Sequence, residues 1–348
     1  MPLVRAETVP LTVAHWLAVL EPRLTEPLFD SAAVGRLRRL AQTLPGECQG
    51  TFEVRLAPGA AQVDLSLRLL TLSQAAAAAA RFGSTVGRFL SSWSEPGSLA
   101  PVRSVWLEFD LDREEPSEPV VCAKLPADID FGWLLDTLLP ALRGAPLSKG
   151  QRDLILTCLE SLPGSAHLLY VFSLRARGSD AVRLEIFGME PSQILDYLRR
   201  VAPPTVPAAK EITPCFEGVE RLHLSLDIAE EIRSRIGIEG SFPWQPRREP
   251  RWKDLFGRLE SRGLCSPGKR TAALAWPGWD SFWTAAGPWP VAQMGPRGFC
   301  VRGLSHLKVV CRPDGRPEAK AYLVFGPFER SSVAAPASSA ARRSVFST

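Results

Sequence analysis

The sequence predicts an α+β protein: a ten-stranded antiparallel β-barrel built from repeated helix-hairpin-helix units, inside an outer ring of helices. Three observations carry that prediction. Five pairs of segments alternate apolar with polar residues and are joined by short polar turns, the pattern of half-buried hairpins. Segments of helical spacing lie between them, so the unit recurs about every 50 to 70 residues. If the helices cover the apolar rows, every polar row lies on one side, and a twisted sheet of ten strands loses its edges by closing. The polar side then becomes a lumen. An open sheet with its polar face in solvent satisfies the same alternation and needs no ligand.

The elements follow in order. Helical segments at 11–24 and 31–44 precede the first hairpin, which pairs 51–57 with 62–70 across Pro58 and Gly59; Val63, Leu65, Leu67 and Leu69 alternate there with Asp64, Ser66 and Arg68. A helical segment at 73–90, with six consecutive alanines, leads to the second hairpin, 103–111 with 119–125, in which Trp106, Glu108 and Asp110 form the polar row. Helical segments at 131–142 and 149–162 separate it from the third, 167–175 with 181–187 across Gly178, Ser179 and Asp180. A helix at 192–201 follows, with Pro191 suited to its start and Pro203 and Pro204 stopping it. The fourth hairpin pairs 221–228 with a weaker strand at 236–241, and a helix at 251–262 precedes the fifth. That last hairpin pairs 305–311 with 319–325 across an Asp314-Gly315 turn. Residues 1–328 are expected to form one domain; 329–348, rich in Ser and Ala without apolar period, has the composition of a flexible tail.

Composition narrows the function classes. With 348 residues and 45% apolar content the chain can bury a sizeable core. Its 41 basic and 37 acidic residues leave a formal charge of +4, too little for an obligate nucleic-acid binder. No apolar run reaches about 18 residues and the N-terminus does not read as a secretory signal, so the expectation is a soluble, cytoplasmic protein without a membrane span. Seven scattered cysteines without a CxxC indicate reduced thiols, several of them buried, and no structural zinc. Gly-x-Ser-x-Gly, P-loop, Rossmann and HExxH patterns are absent, which lowers the odds of the corresponding chemistries.

The inward rows supply the candidate site. Arg55, Arg68, Lys124, Arg183, Lys308 and Lys320 could converge on a diphosphate, which needs several charge-assisted donors. The same rows hold Glu53, Asp64, Glu108, Asp110, Glu185 and Asp227, so the charges could equally neutralise one another across strands. His306, Lys308, Lys320 and Tyr322 favour the clamp, since their own hairpin faces carry no acid. Trp106, Glu108 and Asp110 alternate on one strand, so an aromatic surface and two carboxylates project together. Glu108 and Asp110 are a candidate magnesium pair. His167, His223 and His306 fall on strands without local ligand spacing, and no metal is assigned to them. Ser305 and His306 are discounted as a nucleophile-base pair, because adjacent strand residues point to opposite faces. Trp276, Trp279, Trp283 and Trp289, with Phe282, form an aromatic segment that suits a lid, a protein-binding surface or a loop anchored by its rings.

The succession of five helix-flanked hairpins over residues 11–328 resembles the ABBA or PT-barrel fold of soluble aromatic prenyltransferases. Lys320-Ala321-Tyr322, a Lys-x-Tyr pair on the last inward strand, is the stretch most similar to that family. The resemblance implies transfer of an isoprenyl group from an allylic diphosphate to an aromatic or peptide acceptor inside the lumen. It implies that Lys124, Arg183, Lys308, Lys320 and Tyr322 hold the diphosphate, that Trp106 shields the allyl cation and that Glu108 assists the acceptor. The chain has three tyrosines, Tyr170, Tyr197 and Tyr322, where the family's clamp is commonly rich in them. That departure favours the alternative: a non-catalytic ligand-binding or protein-interaction scaffold on the same fold, with 276–289 as its contact surface.

Overall fold

All five hairpins form where alternation places them. In the computed structural model the described residues are 12–44, 49–59, 61–83, 85–95, 97, 99–112, 118–220, 222–281, 299–312 and 315–327; the expected tail lies outside them. The strands are β1 (Gln49–Arg55), β2 (Val63–Leu69), β3 (Ser104–Phe109), β4 (Val120–Lys124), β5 (His167–Ser173), β6 (Val182–Met189), β7 (Leu222–Ile228) and β8 (Ile232–Gly240). A short β9 (Gly278–Ser281) precedes β10 (Phe299–Cys311) and β11 (Pro317–Pro327).

From β1 to β8 each strand pairs antiparallel with the next, β8 pairs with β10, and β11 pairs with both β10 and β1, so ten strands close without an edge. β9 stands outside the ring, its ladder formed with the first residues of β10. It is an eleventh strand that periodicity missed, because four residues are too few to show an alternation.

The helices α1 (Val13–Leu20), α2 (Ser31–Ala41), α3 (Leu72–Ala79), α4 (Thr85–Ser94), α5 (Phe131–Trp133), α6 (Leu139–Arg143), α7 (Lys149–Glu160), α8 (Pro191–Val201), α9 (Val206–Ile212), α10 (Arg251–Ser261) and α11 (Pro267–Ala275) lie between the hairpins. They cover the barrel's outer rows: Phe52, Leu67, Leu107, Leu184, Leu224 and Ala321 are at most 1% exposed in one continuous core. Each such leucine or phenylalanine contributes about 1.5–3 kcal/mol when fully buried, and this term fixes which face of every strand points outward.

Three departures from expectation have local causes. The segment 73–90 breaks into α3 and α4, because the chain doubles back at Phe82 and Gly83; a Cβ on Gly87 would sit 1.7 Å from the Phe82 carbonyl oxygen. α9 and α11 begin behind prolines, at Thr205 and Ser266, within stretches too short for a clear apolar period. In the aromatic segment, Trp276 is a core residue rather than part of a lid. It is 3% exposed, packs against Phe29 and Phe52, and donates from Nε1 to the Val324 carbonyl at 3.3 Å. Trp279 is 67% exposed on β9, while Phe282, Trp283 and Trp289 lie outside the described residues. No helix among the described residues is long and apolar enough to cross a membrane.

Candidate functional site

The polar rows enclose a cavity of about 260 Å³. Its lining carries seven carboxylates and seven Lys or Arg side chains, so the wall is balanced and the distribution of pairs decides where charge remains. Closure brings together rows that the sequence keeps hundreds of residues apart.

On β1 and β11, Glu53 stands opposite Tyr322 and Arg55 opposite Lys320. Lys320 Nζ lies 2.7 Å from Glu53 Oε1, Arg55 bridges Glu53 at 2.6 Å and Asp64 at 2.7 Å, and the Tyr322 hydroxyl donates to the other Glu53 oxygen. Burial alone would raise the Glu53 pKa; the charges of Lys320 and Arg55 outweigh it and hold the carboxyl well below its usual range.

A second knot joins β8 and β10. Lys308 Nζ donates to Glu239 and, at 3.0 Å, to Ser225 Oγ on β7. Its stem crosses β8 at Gly237, where a Cβ would come within 2.7 Å of Lys308 Cε. Against the cost of burial, Lys308 and then His306 bring Glu239 down to about 2. A third knot is the fork of Arg183 on Asp227 at 2.6 and 3.0 Å, joined by Arg235 at 3.3 Å. Burial works against the Asp227 charge, but Arg183 leads in bringing its pKa to about 2.

Glu108 and Asp110 converge on a guanidinium that sequence reasoning did not single out. Arg177, in the single 3-10 turn Arg175–Arg177 between β5 and β6, lies 2.7 Å from both Asp110 oxygens and 3.3 Å from Glu108. The carboxylate pair considered for magnesium is thus bridged by Arg177. Burial raises the Glu108 pKa from its ordinary value despite Arg177, whereas the hydrogen bonds from Arg177 override burial at Asp110 and lower it.

A different environment runs across β2, β3, β4 and β5. Arg68 stands opposite Trp106, Ser104 opposite Lys124, and Lys124 opposite Tyr170. Arg68 lies over the Trp106 ring at 5.5 Å and Lys124 over the Tyr170 ring at 5.7 Å. Arg68 has only long hydrogen bonds, 3.4 Å each, to Ser104 and Gln49. Among the described residues neither cation has a carboxylate partner. Burial first, and the Arg68 charge second, bring Lys124 down to about 8. Beside them Cys122, Tyr170 and Phe172 form an apolar wall, with Trp106 and Phe187 packed against it. Sequence reasoning missed this wall because β4 and β5 are apolar on both faces. A bulge at Leu168/Tyr170 turns Tyr170 inward.

A bulge also reverses the reading of Ser305. Register shifts between Leu304 and His306, so the two neighbours both line the cavity, with Ser305 Oγ 3.0 Å from His306 Nδ1. His306 stacks on Tyr322 and its Nε2 lies 3.4 Å from Glu239. Of the expected site residues, Lys308, Lys320, Arg183 and Tyr322 are therefore tied to carboxylates, while Trp106 joins Arg68 in the cavity lining of the carboxylate-free sector, with Lys124 half-buried beside them rather than in the lining itself. The six described cysteines are buried, in line with the expectation that several would be.

No family model matches the chain, and no curated protein matches it. Solved structures do. AnaPT from Neosartorya fischeri is 10% identical, with 89% of this chain and 91% of that one covered at a TM-score of 0.55. The 5-dimethylallyl tryptophan synthase from Streptomyces coelicolor is 11% identical, with 96% and 99% covered at 0.49. The prenyltransferase PriB is 14% identical, with 89% and 94% covered at 0.48. The likeness to AnaPT is one of fold, and the closed ten-stranded barrel is the PT-barrel expected from the five hairpins.

Proposed function

We propose that the lumen transfers an isoprenyl group from an allylic diphosphate to an aromatic or peptide acceptor, with the diphosphate held by Arg68 and Lys124. One observation carries this reading: two cations without carboxylate partners flank an aromatic and apolar wall, which matches an anion joined to a hydrocarbon. In a low-dielectric cavity such cations stabilise pyrophosphate as its C–O bond breaks. The ring faces of Trp106 and Tyr170 shield the allylic cation. The acceptor attacks the allylic carbon, and its proton passes to Glu108, which burial makes more basic than an ordinary carboxylate. Lys308, Lys320, Arg183 and Tyr322 act in this reading as the wall that keeps the opposite side of the lumen neutral.

The test is product formation from dimethylallyl, geranyl and farnesyl diphosphates with an indole or phenol acceptor. Glu108→Gln is expected to lower kcat by about 100-fold or more without changing donor affinity. Failure of every chain length to shift the melting temperature would remove the donor assignment. The balanced charge of the lining favours a second reading, a non-catalytic ligand-binding scaffold. Donor binding that is lost in Arg68→Ala, with no turnover of any acceptor, selects it.

A further inference from the structure

Across the lumen from Arg68, the inward rows of β6, β7 and β8 bring together Glu185, His223 and Glu239. They are 5%, 4% and 3% exposed, and one potential ligand atom from each lies within 4.8 Å of the other two. All three line the cavity. His223 stands directly opposite Glu239, and its Nδ1 is 3.1 Å from Glu185 Oε1.

The electrostatics of this group differ from those of the three knots. Among the described residues Glu185 forms no ion pair with Lys or Arg, its ionisable partner being His223. Both carboxylates and the imidazole are buried, and the one ammonium that reaches the group, Lys308, bonds Glu239 and leaves Glu185 with the imidazole alone as its ionisable partner among the described residues.

We propose that Glu185, His223 and Glu239 form a binding site for a divalent first-row transition metal of the zinc class. Two carboxylates and an imidazole are a borderline oxygen and nitrogen donor set, which suits zinc or cobalt better than the all-oxygen preference of magnesium. The surroundings fix the donors as an outer shell does. Lys308 engages one Glu239 oxygen, His306 approaches the other at 3.4 Å while its Nδ1 is held by Ser305, and Phe187 packs edge-on against His223 at 4.8 Å. Three protein donors leave a coordination position open to the cavity. The site does not depend on the diphosphate assignment.

Full-length protein stripped with a chelator and titrated with zinc chloride, with no diphosphate present, is expected to bind one equivalent and melt at a higher temperature. Glu185→Gln, an isosteric change, and His223→Ala are each expected to weaken binding at least tenfold. Cobalt supplies a readout on the unmodified chain that stands even if a variant fails to fold. Visible bands without a thiolate charge-transfer band support oxygen and nitrogen ligation, whereas a thiolate band assigns the metal to the cysteines and overturns the proposal. Absence of binding to the folded chain, or affinity unchanged in Glu185→Gln, also overturns it. Either result leaves the donor reading standing, because that reading is measured by diphosphate binding.

Discussion

Two sectors of the same lumen treat a cation in opposite ways. Across β10, β11 and β1, Lys308 and Lys320 each meet a carboxylate from a neighbouring strand; across β2 to β5, Arg68 and Lys124 meet aromatic rings. The residue types are alike, although Lys308 and Lys320 are buried and Arg68 and Lys124 only half-buried. What sets the pairing is register: Glu53 and Glu239 reach the last hairpin from β1 and β8, whereas Ser104, Trp106 and Tyr170 occupy the corresponding places beside Arg68 and Lys124. Ion pairs in the first sector hold the wall together, and the absence of pairs in the second leaves charge available to a ligand.

The comparison breaks most visibly if the paired sector can be cut without cost. Lys320→Ala removes one of the two cations on Glu53, leaving Arg55 and the Tyr322 hydroxyl, and is expected to destabilise the fold by about 1.5–3 kcal/mol, the worth of a hydrogen bond between charged groups. A loss below about 1 kcal/mol in urea denaturation would mean that Lys320 is not structural. Arg68→Ala, by contrast, is expected to leave the melting temperature of the free protein nearly unchanged while weakening diphosphate binding by about 1.5–3 kcal/mol, the worth of a charged hydrogen bond. Calorimetric titration that finds donor affinity intact in Arg68→Ala but lost in a folded Lys308 variant would exchange the roles of the sectors.

Proton linkage sharpens the contrast. Asp227 and Glu239 titrate near 2 when folded, below their ordinary values, so their contribution to stability is present above pH 4.5 and lost as pH falls towards 2. Lys124 has the opposite sign. Its folded pKa of about 8 lies below its ordinary 10.5, so its charge destabilises the free fold below pH 8, and that cost fades as pH rises from 8 to 10.5. Donor affinity should fall as pH rises through 8 and should stay flat over that range in Lys124→Arg. The smallest expected effect is Lys124→Met, a gain of about 1 kcal/mol at pH 7 after allowing for solvent screening. A loss of stability there would show that Lys124 has a partner in the free protein.

Much of this architecture is legible in the one-dimensional pattern. Val63 to Leu69 and Leu222 to Ile228 alternate strictly, and strict alternation leaves one solution for which face meets the helices. The reading failed where period was too short or absent: β9, α9 and α11, and the doubly apolar β4 and β5 that hide Tyr170 and Phe172. Ser305 was misplaced by a one-residue bulge, and Arg177 was overlooked because a turn carries no face. Of the candidate cations, residue type and inward direction were read from sequence, but pairing was not.

The sequence by itself determined five hairpins whose apolar rows are covered by helices, because hydrophobic burial acts on each residue through its own side chain, while closure of the polar rows into a lumen was decided by the pairing of β11 with β1. Only the tertiary structure decided which inward charges cancel, because Coulomb interactions between buried groups depend on distances across strands that closure sets. Lys320 and Glu53 are 267 residues apart in sequence and 2.7 Å apart in the lumen, while Arg68 and Lys124, nearer neighbours along the chain, face rings instead of carboxylates.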